Sequence, residues 1–413
     1  VEKLGWHKNM FVLSDDVVGG DRKKIVLQQR GVPVALNMNG SSQDWRTKIG
    51  AFCVGNSRLA LAVSAAFSAP LVHIVGSESG GVNFVGGSSI GKSTTIFVAA
   101  SVWSSADFVK RWRATSNGLE SIAMSRNDSL LILDELGQVE AREAGAIAYM
   151  LANGTGKHRA SQTGNARPAA TWRLLFLSTG EIGLADHMQE AGRRAKAGQE
   201  VRMVDIEADT GVHGAFEVLH GFANGAEFAD YLNKESKQTY GTVIRSYLKE
   251  IVKLEEETIK AFVAEISREF EKEYLDESSD GQVKRVARRF ALIAAGGELA
   301  TFFDLTGWHR GEAMRAAGAC FGSWIERRGG MGSKENDEVI AIVRFFLEKY
   351  GDSRFGPIGK NITVANRAGY FRMTREGKQF LFTREIFRNE VLKGMDYRRA
   401  CKALHGAGYL VRQ

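Results

Sequence analysis

Cysteine is scarce in this 413-residue chain: Cys53, Cys320 and Cys401 lie far apart and form no metal-ligand spacing. An odd, scattered set argues against a disulfide framework and fits a reducing, cytoplasmic compartment. No apolar run approaches the length of a membrane span and no signal peptide is visible, so no membrane partner is expected. Internal repeats are absent. Most of the chain also lacks an excess of either charge. The net charge is +7, yet residues 334–413 hold 16 Lys and Arg against 9 Asp and Glu, and the remainder is balanced. A compact basic module of this kind is the footprint of a nucleic-acid partner. With 44% apolar and 25% charged residues the composition is that of a soluble globular protein, and the length allows two to four domains. Val1 in place of an initiator Met leads us to expect a piece of a longer protein.

Two motifs carry the chemistry. Residues 86–93 read Gly86-Gly87-Ser88-Ser89-Ile90-Gly91-Lys92-Ser93, a complete G-x-x-x-x-G-K-S phosphate loop, also called Walker A. It follows a short apolar run (Val82, Phe84, Val85) and opens a helix-like run from Thr94. Strand, small-residue loop and helix N-terminus together aim backbone N–H groups at the β- and γ-phosphates. Lys92 neutralises phosphate charge, and the Ser93 hydroxyl is a ligand for Mg²⁺. The second motif, Ser129 to Leu133 followed by Asp134-Glu135, reads as a buried parallel strand that delivers two acids at its C-terminal edge. Adjacent strand residues point in opposite directions, so Asp134 serves Mg²⁺ through water while Glu135 orients and deprotonates an attacking water. The pair predicts hydrolysis of ATP.

The rest of the chain supplies context. Residues 1–50 read as a β-rich entry segment, including runs at Lys24–Leu27 and Val32–Leu36. Asn56–Phe67 reads as a helix, Pro70–Val75 as a strand with His73 as a core histidine, and 139–151 as a helix. Lys157, His158 and Arg159, with Arg167 across a turn at 162–165, suit a basic β-hairpin, and Trp112 suits the core better than a stacking platform. The hairpin runs on into a core strand ending at Ser178-Thr179, beside the acidic strand. Gly198–Ile206 reads as the last core strand, and residues 214–330 are helical, with the long run at 243–275 either broken near Glu255–Glu257 or forming a solvent-washed rod. After a Gly-rich connection at 328–333 comes an amphipathic helix at 336–350. The tail then alternates strand-like pieces with helices at 383–392 and 396–406 and ends in a strand at 409–412. That spacing suggests a winged helix.

Together these stretches, with Gly55-Asn56-Ser57-Arg58-Leu59, Ala100 to Trp103, Asn153 to Lys157, Trp172 to Glu181 and Gly198 to Asp205, resemble the MCM-like AAA+ replicative helicases and primase-helicase ATPases of prophages and mobile genetic elements, once known only as a domain of unknown function. The resemblance spans roughly residues 1–325. It implies an AAA+ core that forms a ring, commonly a hexamer. It gives Arg202 the part of an arginine finger reaching a neighbour's γ-phosphate, with Arg193 and Arg194 as rivals. Arg285 matches the second-sensor arginine on the helical subdomain, with Arg288 and Arg289 as alternatives. The 156–177 hairpin, with Lys157, His158, Arg159 and Arg167, matches the pre-sensor hairpin that projects into the pore and grips the DNA backbone. Thr179 stands where MCM proteins have asparagine at the first sensor, and there is little room for their long helix-2 insertion.

The expected architecture is therefore α/β, an AAA+ P-loop NTPase core with a parallel sheet and helices on both faces. A β-rich segment (1–50), the ATPase core (51–212), a helical subdomain (213–332) and a basic winged-helix domain (333–413) follow one another. The nucleotide is ATP with Mg²⁺, held by Gly86 to Thr94 and Arg285. The catalytic set is Glu135, Lys92, Arg202 and Thr179, and Ser93 and Asp134 serve the metal. The expected partners are single-stranded and forked DNA, further copies of the chain, and a primase domain or protein. The leading function is a hexameric replicative DNA helicase. The alternatives are a helicase loader or regulatory ATPase that binds DNA without unwinding it, and a DNA packaging or transposition ATPase.

Overall fold

The computed structural model describes residues 1–21, 24–25, 27–28, 36–157, 159–160, 166–167, 169–360, 362–375 and 377–411. The chain divides into two compact units, Val1–Arg328 and Gly329–Gln413.

The first unit is built on a five-stranded parallel sheet. Its strands lie in the order Met203–Glu207, Gly80–Val85, Leu174–Gly180, Ser129–Asp134, Lys110–Arg111. Strand Leu174–Gly180 thus separates the loop-bearing strand from the acidic one. The chain leaves Gly80–Val85 toward one edge of the sheet and leaves Leu174–Gly180 toward the other. The switch point therefore lies between the carboxyl ends of these two strands, where open α/β sheets bind ligands.

Burial explains why these runs become central strands. Leu130 to Leu133 and Leu174 to Leu177 are all buried, as strands covered on both faces must be. Leu131, Leu133 and Phe176 join Trp112, Leu119, Ile147, Leu151 and Trp172 in one cluster, under helices Ser116–Ser125, Ala141–Asn153 and Leu184–Glu190. Leu130 and Ile132 alternate to the other face. There, helix Ser57–Ser68, buried along its whole length, packs between Lys92–Trp103, Gly281–Phe302 and Glu312–Arg328. Small residues allow this approach. A Cβ on Gly297 would stand 2.2 Å from the Ser64 hydroxyl oxygen, and one on Gly296 would stand 2.5 Å from Ser68.

Beyond the sheet come the helices Gly225–Gln238, Thr242–Ile251, Glu256–Tyr274, Gly281–Phe302 and Glu312–Arg328. The expected break near Glu255–Glu257 falls between the second and third of these. At the chain start, Gly5–His7, Met10–Val12 and Val17–Val18 form a small antiparallel sheet. The run Val32–Leu36 lies outside the described residues apart from Leu36, and so do parts of Lys24–Leu27.

Several expectations need correction. Pro70–Val75 is not a strand: Leu71–Ile74 is a helical turn, and Pro70, the residue before it, already has helical backbone at φ −64°, ψ −24°. An apolar run this short cannot separate buried helix from buried strand by pattern alone. His73 is exposed, not a core histidine. Gly198–Val201 does not extend the last strand. Residues Ala197–Glu200 are helical, because the Gln199 side chain accepts from the Lys196 N–H at 2.8 Å and closes a turn. Helix Ser42–Lys48 was not foreseen, although Ser41 caps it by accepting from the Asp44 N–H at 3.0 Å.

In the second unit, helix Lys334–Tyr350 packs with Tyr397–Gly406 over a three-stranded sheet, Phe355–Pro357, Gly369–Thr374 and Gly377–Phe382. A helical segment, Arg384–Ile386 continuing as a π turn at Phe387–Val391, precedes Tyr397–Gly406. The hairpin thus comes before the helix pair rather than after it. The expected strand at 409–412 is absent from its described part. The Tyr409 and Leu410 N–H groups both turn back onto the Leu404 carbonyl, past Gly408 at φ 77°, so these two donors are taken by the helix end and not by a ladder. Among the described residues no helix is long and apolar enough to cross a membrane.

Candidate nucleotide-binding site

The loop residues leave strand Gly80–Val85 at its carboxyl end and enter helix Lys92–Trp103. Three of them need left-handed backbone: Gly86 (φ 156°), Ser89 (φ 63°) and Gly91 (φ 100°). Gly91 has a second constraint, since a Cβ there would stand 2.8 Å from the Phe216 ring. The segment after the last strand braces the loop from that side, with the Ala215 N–H donating to the Ile90 carbonyl at 2.7 Å. Gly87, Ser88 and Ser89 stay exposed at the mouth of a twelve-residue helix whose dipole favours an anion. The Lys92 ammonium donates to the Gly86 and Gly87 carbonyls at 2.7 and 2.5 Å. It therefore sits inside the curl of the loop, where phosphate oxygens would compete for it. Ser93 is exposed at the helix start, whereas the Thr94 hydroxyl accepts from the Asn233 amide at 3.1 Å and faces the protein.

The acids stand on the same edge. Thr179 pairs with Phe84 on one side, and Leu133 pairs with Ser178 on the other, so Phe84, Thr179 and Asp134 form one row across three strands. Thr179, 1% exposed, ties that row together. Its hydroxyl donates to Asp134 Oδ1 at 2.6 Å and accepts from the Glu135 N–H at 3.1 Å. Glu135 itself is held at φ 63°, ψ 80°, a left-handed conformation that a side chain adopts at a cost. Strand alternation sends the neighbouring Ser178 hydroxyl to the other face, where it accepts from the Trp112 indole N–H at 2.9 Å. Trp112 is fully buried and serves the core.

The oxygen donor set suits Mg²⁺, which keeps several waters and takes one or two protein ligands beside phosphate. Ser93 and Asp134 would hold it, the first on the loop side and the second on the acid side. Among the described residues there is no separate cluster of His, Cys, Asp and Glu that could hold a metal.

The arginines named in the sequence stand elsewhere. Arg285 bonds to Glu78, two residues before strand Gly80–Val85 begins. Arg289 is buried and donates to the Val201 carbonyl at 2.8 Å, and burial depresses its guanidinium to about 10. Arg288 is exposed and pairs with Glu271 at 3.6 Å. Arg202 precedes strand Met203–Glu207, stacked over the Tyr149 ring at 4.2 Å, and donates to Asn153 and to the Gly198 carbonyl. Arg193 and Arg194 are exposed after helix Leu184–Glu190. Arg202, Arg285 and Arg289 therefore occupy the amino edge of the sheet, about 20 Å of strand from the phosphate loop. They cannot serve the loop of their own chain.

A different arginine lies at the loop edge. Arg327, in the last turn of helix Glu312–Arg328, pairs with Glu207 at 3.4 Å and Asp186 at 3.2 Å. Glu207 ends the last strand beside Val85, and its Oε1 lies 3.0 Å from where a Cβ on Gly86 would stand. The strand expected to stop at Ile206 in fact continues through Glu207, which is the signal that could have drawn attention to this pair. Below it, Asp205 accepts from the Asn83 amide at 2.7 Å and the Leu184 N–H at 2.9 Å. Enclosure of this carboxyl group pushes it up to about 6, against the pull of those two hydrogen bonds.

The basic hairpin is present in its backbone. Arg159–Ala160 pairs antiparallel with Ala166–Arg167, with Arg159 opposite Arg167. His158 and the turn 162–165 lie outside the described residues, as do the side chains of Arg159 and Arg167. Lys157 is exposed at the hairpin base.

Comparison with known proteins adds three findings. Residues 1–171 match a sequence family described as a domain of unknown function, DUF927. No curated protein matches the chain. A solved structure described as SCCmec type IV Cch, an active helicase, superposes over 100% of this chain and 76% of its own, with a TM-score of 0.73 and 18% identity. At that identity the likeness is one of fold.

Proposed function

We propose that this protein is an ATP-driven DNA helicase of the AAA+ type, serving replication of a mobile element or prophage. The observation that carries the reading is the single edge at which a lysine-bearing phosphate loop meets the Asp134–Thr179–Glu135 triad. Lys92 and the loop amides bind the triphosphate. Mg²⁺, when bound, neutralises charge developing on the phosphoryl oxygens. Thr179 fixes Asp134 on the metal side and Glu135 on the water side, and Glu135 takes the proton of the attacking water. The helicase likeness of the whole fold supports this reading.

A ring accounts for the arginines. Arg202, with Arg285 near the same edge, would face the loop of a neighbouring chain, in the manner of an arginine finger and second sensor supplied in trans. A head-to-tail contact of this kind closes into a ring, here a hexamer. The Lys157–Arg167 hairpin would line its pore and hold the phosphates of one DNA strand without reading sequence. The C-terminal unit would be a winged-helix variant with its hairpin ahead of the helix pair.

Strand displacement on a forked duplex tests the reading. Wild type should hydrolyse ATP and release the labelled strand. Lys92→Ala and Glu135→Gln should do neither, with Glu135→Gln still binding ATP. A wild-type chain that turns over ATP on forked DNA yet never displaces a strand refutes the helicase assignment.

A further inference from the structure

The second unit carries the protein's entire net charge, with 16 Lys and Arg against 9 Asp and Glu in residues 334–413. Arg384, Arg388, Arg398, Arg399 and Lys402 lie on its last two helical segments. Phe387 and Val391 of the first, Leu392 just after it, and Ala400 and Leu404 of the second enter one core cluster. Residues 392–396 connect the segments, turning at Gly394 with φ 82°. Asp396 caps the second helix by accepting from the Arg399 N–H at 2.8 Å. Two helical segments that feed one core and are joined by a short, Gly-containing connection have the connectivity of a helix–turn–helix.

The face left outward is basic. In helix Tyr397–Gly406, Ala400, Ala403 and Leu404 point inward, whereas Arg398, Arg399, Lys402 and His405 are exposed. Arg384 and Arg388 of the preceding segment are exposed too, and their charges reach the Tyr397 phenol at the start of this helix. The nearby acids are engaged. Asp396 caps the helix, Glu385 accepts from Asn389, and Glu390 pairs with Arg354. A ten-residue helix is about 15 Å long, a fit for the roughly 12 Å wide major groove of B-DNA. The face has cations rather than the successive aromatic rings on which single strands stack.

We propose that residues 329–413 form a second nucleic-acid site, which binds duplex DNA with helix Tyr397–Gly406 in the major groove. Arg398, Arg399 and Lys402 contact phosphates and base edges, and Arg384 and Arg388 hold the flanking backbone. Because the site lies outside the nucleotide machinery, it does not rest on the motor reading.

The test uses the full chain without nucleotide, with fluorescence anisotropy on a DNA duplex, an oligothymidylate of equal length and a duplex RNA of the same sequence. The triple variant Arg398→Gln, Arg399→Gln, Lys402→Gln keeps good helix formers on a surface position. Its duplex-DNA affinity should fall about 30-fold, and its log–log salt slope should drop by about 2 to 3. Affinity for oligothymidylate and duplex RNA should change less than threefold, since the A-form major groove does not admit side chains. ATP turnover and the melting temperature should match wild type. The double variant Arg398→Ala, Lys402→Ala should lose about tenfold on duplex DNA alone. Unchanged duplex affinity and salt slope in the triple variant would overturn the proposal. So would an equal loss on all three nucleic acids, which would mark a diffuse charge effect. A chain that lacks ATPase activity yet loses duplex binding in these variants would sink the motor reading and leave this one standing.

Discussion

Thr179→Val is the sharpest single probe of the site, because it removes one hydroxyl and almost no volume. The residue is 1% exposed, so no water replaces the lost group. In the wild type that hydroxyl donates to Asp134 at 2.6 Å and accepts from the Glu135 N–H at 3.1 Å. A hydrogen bond to a carboxylate contributes about 1.5–3 kcal/mol, and a stranded buried N–H costs about 1–3 kcal/mol. Asp134 and Glu135 are only half-buried and recover part of this through solvent, so the loss of unfolding free energy should be about 2–3 kcal/mol. The kinetic effect has a different origin. The hydrogen bond from the Glu135 N–H to the Thr179 hydroxyl helps hold Glu135 in its left-handed conformation, φ 63°. If Glu135 is the general base we propose, the loss of that bond takes its carboxylate out of the line of the attacking water. A displaced general base forfeits about 100-fold in kcat, while the ATP KM, set by the loop, should stay within about threefold. Thr179→Ser keeps the hydroxyl and should recover most of the rate. Steady-state ATP hydrolysis and urea unfolding read the two effects separately. If Thr179→Val hydrolyses ATP at the wild-type rate, or Thr179→Ser is as slow as the valine variant, the hydroxyl does not organise the acid pair.

Other positions give independent checks. Arg327→Ala should raise the ATP KM about tenfold with a smaller change in kcat, if its guanidinium leaves Glu207 and Asp186 for a phosphate; an unaltered KM removes it from the site. Arg173→Ala strips the cation from Asp128, whose side chain is fully buried and also accepts from the Trp6 N–H. We expect a loss of about 2–3 kcal/mol in urea unfolding and early fraying of the Gly5–His7 strand in hydrogen exchange. Asp205 bears a pH dependence of definite sign. Its folded pKa, about 6, lies above the unfolded value of 3.8, so folding favours the protonated form. The contribution to stability is full below about pH 4 and is lost as pH rises through 6. Between pH 4.5 and 7.5 it falls by about 2 kcal/mol, a slope that Asp205→Asn should abolish in parallel unfolding curves.

Much of this architecture was legible because its signals are local. The phosphate loop, the aliphatic strand ending in Asp134, the helix at Ser57–Ser68 and the break before Glu256 each declare themselves within a dozen residues. The elements misread are those decided by tertiary context. Pro70–Val75 has the composition of a buried strand, but its neighbours bury it as a helical turn. Gly198–Val201 would continue a strand were it not for the Gln199 side chain closing on Lys196. Tyr409–Val411 looks extended, yet the Tyr409 and Leu410 amides are spent on the end of the preceding helix. The site shows the same division. Loop and acids are contiguous motifs, whereas the Thr179–Asp134 bond and the Arg327–Glu207–Asp186 cluster arise only when the sheet order brings distant strands and the last helix of the first unit to one edge. No periodicity in the sequence encodes that order.

The sheet order also makes a strong demand on Arg202. Its guanidinium lies at the amino edge, stacked on Tyr149 and bonded to Asn153. The phosphate loop lies at the carboxyl edge, so catalysis by Arg202 requires a second chain. Subunit mixing isolates that requirement. Lys92→Ala lacks a working loop and retains Arg202, while Arg202→Ala retains the loop and lacks the arginine. Each alone should be inactive as an ATPase. In a one-to-one mixture, random assembly pairs an intact loop with an intact arginine at about a quarter of head-to-tail contacts, and turnover should recover to about that share of wild type. Arg202→Lys should not substitute in the mixture, because an ammonium cannot present the planar fork that a transferring phosphoryl group accepts. A mixture as inactive as its components would show that Arg202 does not act across an interface, and the ring would lose its structural argument.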